Sequence, residues 1–190
     1  MVIPVVPVNV PVVPFYSQFI DIASSYWQKQ GCGITSLAMI IDYYNATSST
    51  PSVNALLSQG IAAGAYDYST GWIHSGLIKL AEKYGLDGVS YDLSGLDKIT
   101  ALKRFTAYVD DGPVMASIHY KFDPKSSIPH VVVIDAIENG IVYYNDPAAK
   151  SGEKQVSVDT FQKAWKKKFI VIRPDQEAST LTTPHTVPVV

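Results

Sequence analysis

The sequence predicts an α+β domain in which helices come first and a small antiparallel sheet follows. Up to about residue 110, apolar residues recur at the spacing of helices that are buried on one face. After Gly112-Pro113 they form short runs rich in β-branched and aromatic residues, which are typical of strands. The turn Glu138-Asn139-Gly140 between two of these runs predicts a hairpin. This order of elements favours an α+β fold.

Four helices are expected before the sheet, over residues 33–44, 53–60, 73–84 and 97–109. In the first helix, Leu37, Ile40, Ile41 and Tyr44 have the spacing of a buried helical stripe. Gly85 is a suitable residue to end the third. Residues 24–27 and 66–71 are expected to be loops, and 15–18 a short strand or a loop.

The expected strands cover residues 114–120, 131–137 and 141–145. A late helix over 158–167 and a last strand over 169–172 should follow them. On this interpretation, Lys166-Lys167-Lys168 is most simply the solvent-exposed end of the late helix.

The composition excludes several classes of protein. The chain has 190 residues, enough for one domain with a full core, and a net charge of −2, which gives no basic surface for nucleic acid. One cysteine cannot form an intrachain disulfide or a cysteine-rich zinc site, and no His-Glu-x-x-His motif suggests a metal. No apolar run reaches the ~18–20 residues of a membrane span. We therefore expect no cofactor, and the oligomeric state stays open.

Both ends of the chain are rich in proline and valine. Proline fixes φ and lacks an N–H group, so residues 1–11 and 175–190 are expected to be extended linkers or edge segments around a domain of residues 12–174. The N-terminus has no basic region and is a poor signal peptide. Because many exported bacterial proteins lack disulfides, the single cysteine fits an exported or cell-surface protein as well as an internal one.

The only cysteine, Cys32, is the candidate nucleophile. It lies in a Gly-Cys-Gly turn immediately before the first predicted helix. Unpaired N–H groups and the positive end of the helix dipole favour a thiolate at that position, and the thiolate is the reactive form. The alternative is that Cys32 is a small buried hydrophobic residue.

Of the four histidines, His130 is the best candidate for a general base. It begins an apolar strand after Ser-Ser-Ile-Pro, so the sheet holds it while it still faces a cleft. His74 falls on a helix face and His119 in a strand, where structural or surface roles are simpler. His185 belongs to the C-terminal tail.

Hairpin pairing across residues 138–140 returns the end of the next strand towards His130. Asn145 and Asp146 therefore both approach the imidazole, but neighbouring strand residues face opposite sides, so only one can orient it. We prefer Asp146, with Asn145 as the alternative, and expect Asp135 to point to the opposite face. The backbone N–H of Cys32 and a glutamine side chain would stabilise an oxyanion, and Gln18, Gln28 and Gln30 are the candidates.

These pieces together resemble the papain-fold cysteine peptidases related to the bacteriocin-processing, double-glycine-leader peptidases, in particular their stand-alone domains. The resemblance covers residues 12–174, and its matching stretches are 13–18, 32–39, 71–72, 128–134, 142–148 and 161–165. It implies a hydrolase with a catalytic triad of Cys32, His130 and Asp146, with Gln18 in the oxyanion hole and a peptide or protein as substrate. The sequence departs from the family in residues 19–31, which separate Gln18 from the cysteine, and in Ile34, where proline is usual.

The resemblance leads to a thiol hydrolase that cleaves a peptide or isopeptide bond through an acyl-enzyme. The same triad could also carry out acyl transfer, as in transglutaminase-like or phytochelatin-synthase-like proteins. A third reading is a catalytically silent binding module whose aromatic loops, with Tyr66, Tyr68 and Trp72, hold a partner.

Overall fold

The computed structural model describes residues 11–45 and 50–174. The Pro/Val-rich ends lie outside these residues, apart from Pro11, and so does His185. The expected domain boundaries therefore stay predictions. No helix in the described parts of the chain is both long and apolar enough to cross a membrane.

The fold is built on a six-stranded antiparallel sheet. Its strands are β3 (Leu86–Asp92), β4 (Val114–His119), β5 (Pro129–Glu138), β6 (Ile141–Asn145), β7 (Lys154–Ser157) and β8 (Trp165–Pro174). Their order across the sheet is β3-β8-β4-β5-β6-β7. The last strand thus enters between two earlier ones, while β5 and β6 form the hairpin expected around Asn139, which has a φ of 52°.

The helices are α1 (Ser25–Gln28), α2 (Cys32–Tyr44), α3 (Val53–Ala62), α4 (His74–Glu82), α5 (Lys98–Asp110) and α6 (Val158–Ala164). The four helices expected before the sheet are all present. Side-chain caps set two of their starts: Ser52 accepts from the N–H of Ala55, and Asp97 accepts from Ile99 and Thr100.

Helices cover both faces of the sheet. α2, α3 and α4 pack on one face, against Met115, Val133 and Ile170, whereas α5 and α6 pack on the other, against Val132 and Phe169. Adjacent strand residues such as Val132 and Val133 thus enter different cores, as the two-residue period of a strand requires. Both faces are buried, which explains why the central strands are continuously apolar.

The late helix was predicted too long. It ends at Ala164, and the chain from Trp165 onward is strand β8, because this segment pairs with both β3 and β4. Lys166-Lys167-Lys168 therefore lies in a strand and not at a helix end. Strands β3 and β7 were not predicted at all, residues 66–72 form a two-strand hairpin, β1 (Tyr66–Asp67) and β2 (Gly71–Trp72), and residues 25–28 form α1.

A buried polar pair lies on the face of the sheet that packs against α2. Asn145 Nδ2 donates to Asp135 Oδ2 at 2.9 Å, and Asp135 is only 3% exposed. Among residues 11–45 and 50–174, nothing forms a hydrogen bond with its other oxygen, Oδ1. Burial raises the pKa of Asp135 to about 8; the Asn145 hydrogen bond opposes this and the charge of Glu153 adds to it. A carboxyl in this setting favours the protonated form.

Asp135 should make the fold less stable as pH rises. The folded carboxyl keeps its proton up to about pH 8, whereas the unfolded one releases it near pH 4. Stability is therefore fully present below about pH 4 and is lost as pH rises towards 8. We expect Asp135→Asn to be about 2 kcal/mol more stable than wild type at pH 9, or roughly 6 °C in Tm, and nearly equal to it at pH 5.

Thermal unfolding from pH 5 to 9 checks this expectation. Asp159→Asn, at an exposed position of α6, is the matched control and should show no such pH-dependent gain. Equal destabilisation of Asp135→Asn at both pH values would contradict it.

Candidate active site

Close packing explains the glycines on each side of Cys32. Cys32 is the first residue of α2, after the N-cap residue Gly31. A Cβ at Gly31 would collide with Ile22, and one at Gly33 would lie 2.8 Å from Cβ of Trp72. The Trp72 ring is itself fixed, because its Nε1 donates to the carbonyl of Gln30 at 2.7 Å. The cysteine is thus held between two tight contacts.

The structure brings His130 to the thiol. His130 is the second residue of β5 and is 4% exposed, and its imidazole lines the same cleft as the Cys32 thiol and lowers the pKa of that thiol. The ring of Tyr120 packs edge-on against it, with centroids 5.2 Å apart. The backbone N–H groups of Val131 and Gly33 also lower the pKa of the thiol. The partly exposed Cys32 is therefore not simply a buried hydrophobic residue.

Asp146 stands behind the imidazole. Its Oδ1 lies 2.6 Å from His130 Nε2, so the other ring nitrogen, Nδ1, is left for the thiol. The N–H of Ala148 also donates to Oδ1, at 2.8 Å. Asn145, the alternative, faces the other side of the sheet because it is in register with Val133, and there it bonds Asp135.

The pair of Cys32 and His130 favours charge separation. Burial by itself raises the pKa of the Cys32 thiol, but the hydrogen bond and charge of His130, with the two backbone N–H groups, lower it overall. Burial by itself lowers the pKa of His130, whereas hydrogen bonds to Asp146 and Cys32 and their charges raise it to about 9. A lowered thiol pKa beside a raised imidazole pKa gives a thiolate–imidazolium pair near neutral pH.

Gln18 is buried between the cysteine turn and the aspartate turn. It is 4% exposed, its Cβ lies beside Gly31, and its backbone N–H donates to the carbonyl of Pro147 at 2.8 Å. One amide N–H is used by the carbonyl of Gln28 at 2.7 Å, which leaves the second donor of the amide. The intervening residues, including α1, thus fold away from the site and leave Gln18 next to the cysteine turn.

The other two glutamines have different surroundings. The amide of Gln28 donates to the carbonyls of Phe19 and Ile22, so both of its donors are used. The Oε1 of Gln30 accepts from the hydroxyl of Tyr66 at 3.2 Å. Among the three candidates, Gln18 best combines burial with a spare donor.

An open cleft of about 430 Å³ is lined by both Cys32 and His130. Its walls come from the β1–β2 hairpin on one side and from β4, β5 and β8 on the other; the lining includes Tyr66, Trp72, His74, Ser117, Pro129, Lys29, Lys166 and Lys168. His74 bonds Ser90 at 2.8 Å and His119 bonds the carbonyl of Ser126 at 2.7 Å, so each has another partner. In residues 11–45 and 50–174, no group of three or more His, Cys, Asp or Glu residues could hold a metal.

Two features of the cleft were missed in the sequence. The first is the interaction of the Val131 N–H with the thiol. Because Val131 follows His130 in β5, this interaction could have been inferred once β5 was placed. The second is the position of the β8 lysines in the cleft, which could not be inferred because these lysines were assigned to a helix.

Comparisons with known proteins identify the family and the fold. The family model described as "Peptidase_C39 like family" matches residues 11–168. A C39-like peptidase structure from Bacillus anthracis is 20% identical, with a TM-score of 0.60, over 86% of this chain and 95% of that one. No curated protein matches the chain.

Two further structures share the fold. A double glycine motif protease from an AMS/PCAT transporter, solved with its leader peptide, is 20% identical, with a TM-score of 0.58, over 87% of this chain and 94% of that one. The peptidase domain of Streptococcus ComA, a bifunctional ABC transporter of a quorum-sensing pathway, is 19% identical, with a TM-score of 0.57, over 77% and 93%. The expected papain-like α+β fold is confirmed.

Alkylation of Cys32 by iodoacetamide should report the charged pair. Because the thiol pKa is lowered, we expect Cys32 to keep a larger share of its pH 8 rate at pH 6 than free glutathione does. His130→Ala removes the stabilising partner, so its rate at pH 6 should fall by about tenfold or more and then rise steeply with pH. Intact-mass spectrometry over time gives both rates.

His119→Ala is the matched control, since His119 bonds Ser126, and it should keep the wild-type pH profile. A wild-type Cys32 that reacts no faster at pH 6 than free glutathione would exclude the charged pair.

Proposed function

The chain belongs to the Peptidase_C39 like family, and on that premise we propose that it is a cysteine peptidase that hydrolyses a peptide or isopeptide bond through an acyl-enzyme on Cys32. One observation carries the proposal: the thiol of Cys32 and the imidazole of His130 line one cleft and shift each other's pKa, and the carboxylate of Asp146 lies 2.6 Å behind the imidazole. A thiol nucleophile needs these three groups in this order.

In the proposed acylation step, the Cys32 thiolate attacks the carbonyl carbon of the scissile bond. A C–S bond forms and the carbonyl electron pair moves onto oxygen. The resulting oxyanion accepts hydrogen bonds from the N–H of Cys32, which has no helical partner in the first turn of α2, and from the spare N–H of Gln18. The imidazolium of His130 then gives its proton to the leaving nitrogen as the C–N bond breaks.

Deacylation reverses the proton path. Neutral His130 takes a proton from water, the hydroxide attacks the thioester carbon, and the C–S bond breaks to return the thiolate. Asp146 does not change its charge in this scheme. It holds the ring in one orientation through Nε2 and stabilises the imidazolium, so it acts as a positioning residue.

A peptide substrate is supported by the open cleft and by the neighbouring folds. The cleft is about 430 Å³ in volume and includes Cys32 in its lining, so a peptide chain bound there would meet the sulfur. The transporter protease with the same fold was solved with a leader peptide. For this chain we propose a peptide or protein substrate.

Incubation with a proteome-derived peptide library tests the proposed hydrolysis. We expect cleaved peptides with wild type and none with Cys32→Ala, and a covalent adduct of peptide mass on Cys32 when the reaction is stopped with acid. An added lysine side-chain amine, if it replaced water entirely in the products, would instead show acyl transfer. Cleavage that persists in Cys32→Ala would contradict the proposal.

Gln18→Ala should separate transition-state stabilisation from nucleophile activation. Loss of one oxyanion donor lowers kcat by about 100-fold or more, while KM changes little. Iodoacetamide alkylation forms no oxyanion, so its rate with Gln18→Ala should stay close to that of wild type. Steady-state kinetics on a peptide found in the library, combined with alkylation rates, measure both effects.

Gln28→Ala is the matched control because both of its amide donors bind the surrounding loop. It should keep kcat within about twofold. An equal loss of kcat in both variants would point to a disturbed loop in place of a missing donor.

A further inference from the structure

Two of the three consecutive lysines in β8 line the active-site cleft. Strand β8 contains a bulge where its pairing with β4 shifts between Ser117 and Ile118, and Lys167 there has a φ of 57°. The ammonium of Lys167 bonds the carbonyl of Leu96. Lys166 and Lys168 instead line the cleft that contains the thiol.

Strand register sets how far these lysines lie from the sulfur. Val131, which lines the cleft together with Cys32, pairs with Ser117, and Ser117 pairs with Lys168. Paired residues share a face of the sheet, so the three side chains form a row. Neighbouring strands are ~4.8 Å apart, which places Lys168 about 10 Å across the sheet from Val131.

An extended peptide in the cleft rises by about 3.3 Å per residue. A row of about 10 Å therefore corresponds to about three substrate residues. The length of the lysine side chain shortens the distance between its ammonium group and the reacting carbonyl further. The second or third substrate residue from the reacting carbonyl is the one that would meet Lys166 and Lys168.

The charge in this part of the cleft is positive. Its lining includes Lys29, Lys166 and Lys168 and no carboxylate. Asp92 pairs with Lys168 at 3.2 Å, but both side chains are about half exposed, so solvent weakens the pair. Within residues 11–45 and 50–174, neither Lys29 nor Lys166 has a carboxylate within ion-pair distance.

We infer that Lys166 and Lys168 form a subsite for an acidic substrate residue, two or three positions from the scissile bond. The inference rests on the proposed peptidase function and adds a substrate class: peptides with Asp or Glu at that position. Electrostatic complementarity of this kind mainly contributes specificity, since exposed ion pairs are individually weak.

Double-headed epoxysuccinyl peptides test the subsite without a known substrate. Each probe carries a central epoxide, which the Cys32 sulfur opens, and alanine arms with one Asp or one Asn at the first, second or third residue of either arm. Intact-mass spectrometry gives the second-order rate for each probe. We expect Asp to react about three- to tenfold faster than Asn at the second or third residue of one arm, and the ratio to fall in ~0.5 M NaCl.

Three variants assign the effect to the lysines. Lys166→Met/Lys168→Met should bring the Asp/Asn ratio to about one, and its melting temperature checks that it folds. Asp92→Asn removes the competing carboxylate and should raise the ratio. Lys79→Met, at an exposed position of α4, is the matched control and should leave the ratio unchanged.

An Asp/Asn ratio near one at every position in wild type, with Cys32 still reactive, would overturn the subsite and leave the peptidase proposal standing. A ratio that survives in the double lysine variant would do the same. If Cys32 reacts with no probe faster than glutathione does, both proposals fail.

Discussion

The structure depends on the contact between the N-terminus of α2 and the first residues of β5. Nearly the whole of α2 is buried, from Gly33 to Ile41, so the helix cannot rotate or slide without exposing core residues. The hydroxyl of Ser36 also bonds the carbonyl of Val131 at 3.3 Å and ties helix to strand. Burial of an apolar helix thus holds the sulfur against the imidazole, although the two residues are far apart in the chain.

The two cores support the site from opposite faces of the sheet. α2, α3 and α4 pack against the face of Val131 and Val133, and Trp72 closes the space beside Gly33. The second core, with Phe105 and Phe161, lies on the opposite face. Ile118 of this second core is the strand partner of His130, so both layers help to position the proposed site.

The sequence predicted what depends on local pattern. Helix α2 with Cys32 at its start, the β5–β6 hairpin and the approach of Asp146 to His130 all follow from periodicity and turn chemistry. Strands β3 and β7 and the true end of α6 were missed, because β8 is a strand only through its pairing with β3 and β4. The choice among three glutamines likewise needed the loop over residues 19–31, whose folding depends on contacts such as that of Gln18 with Gln28. The catalytic roles of all these residues stay predictions.

Two adjacent residues at the end of the β5–β6 hairpin make contacts on opposite faces of the sheet. Asp146 meets the imidazole on one side, and Asn145 satisfies the buried Asp135 on the other. If the pairing of β6 with β5 slipped by one residue, Asn145 and Asp146 would exchange faces of the sheet. His130 would then lack a carboxylate partner, and Asp146 would be buried next to Asp135. The length of the turn at Glu138-Asn139-Gly140 is therefore under a constraint as tight as that on the reactive residues, even though it lies at the far end of the strands.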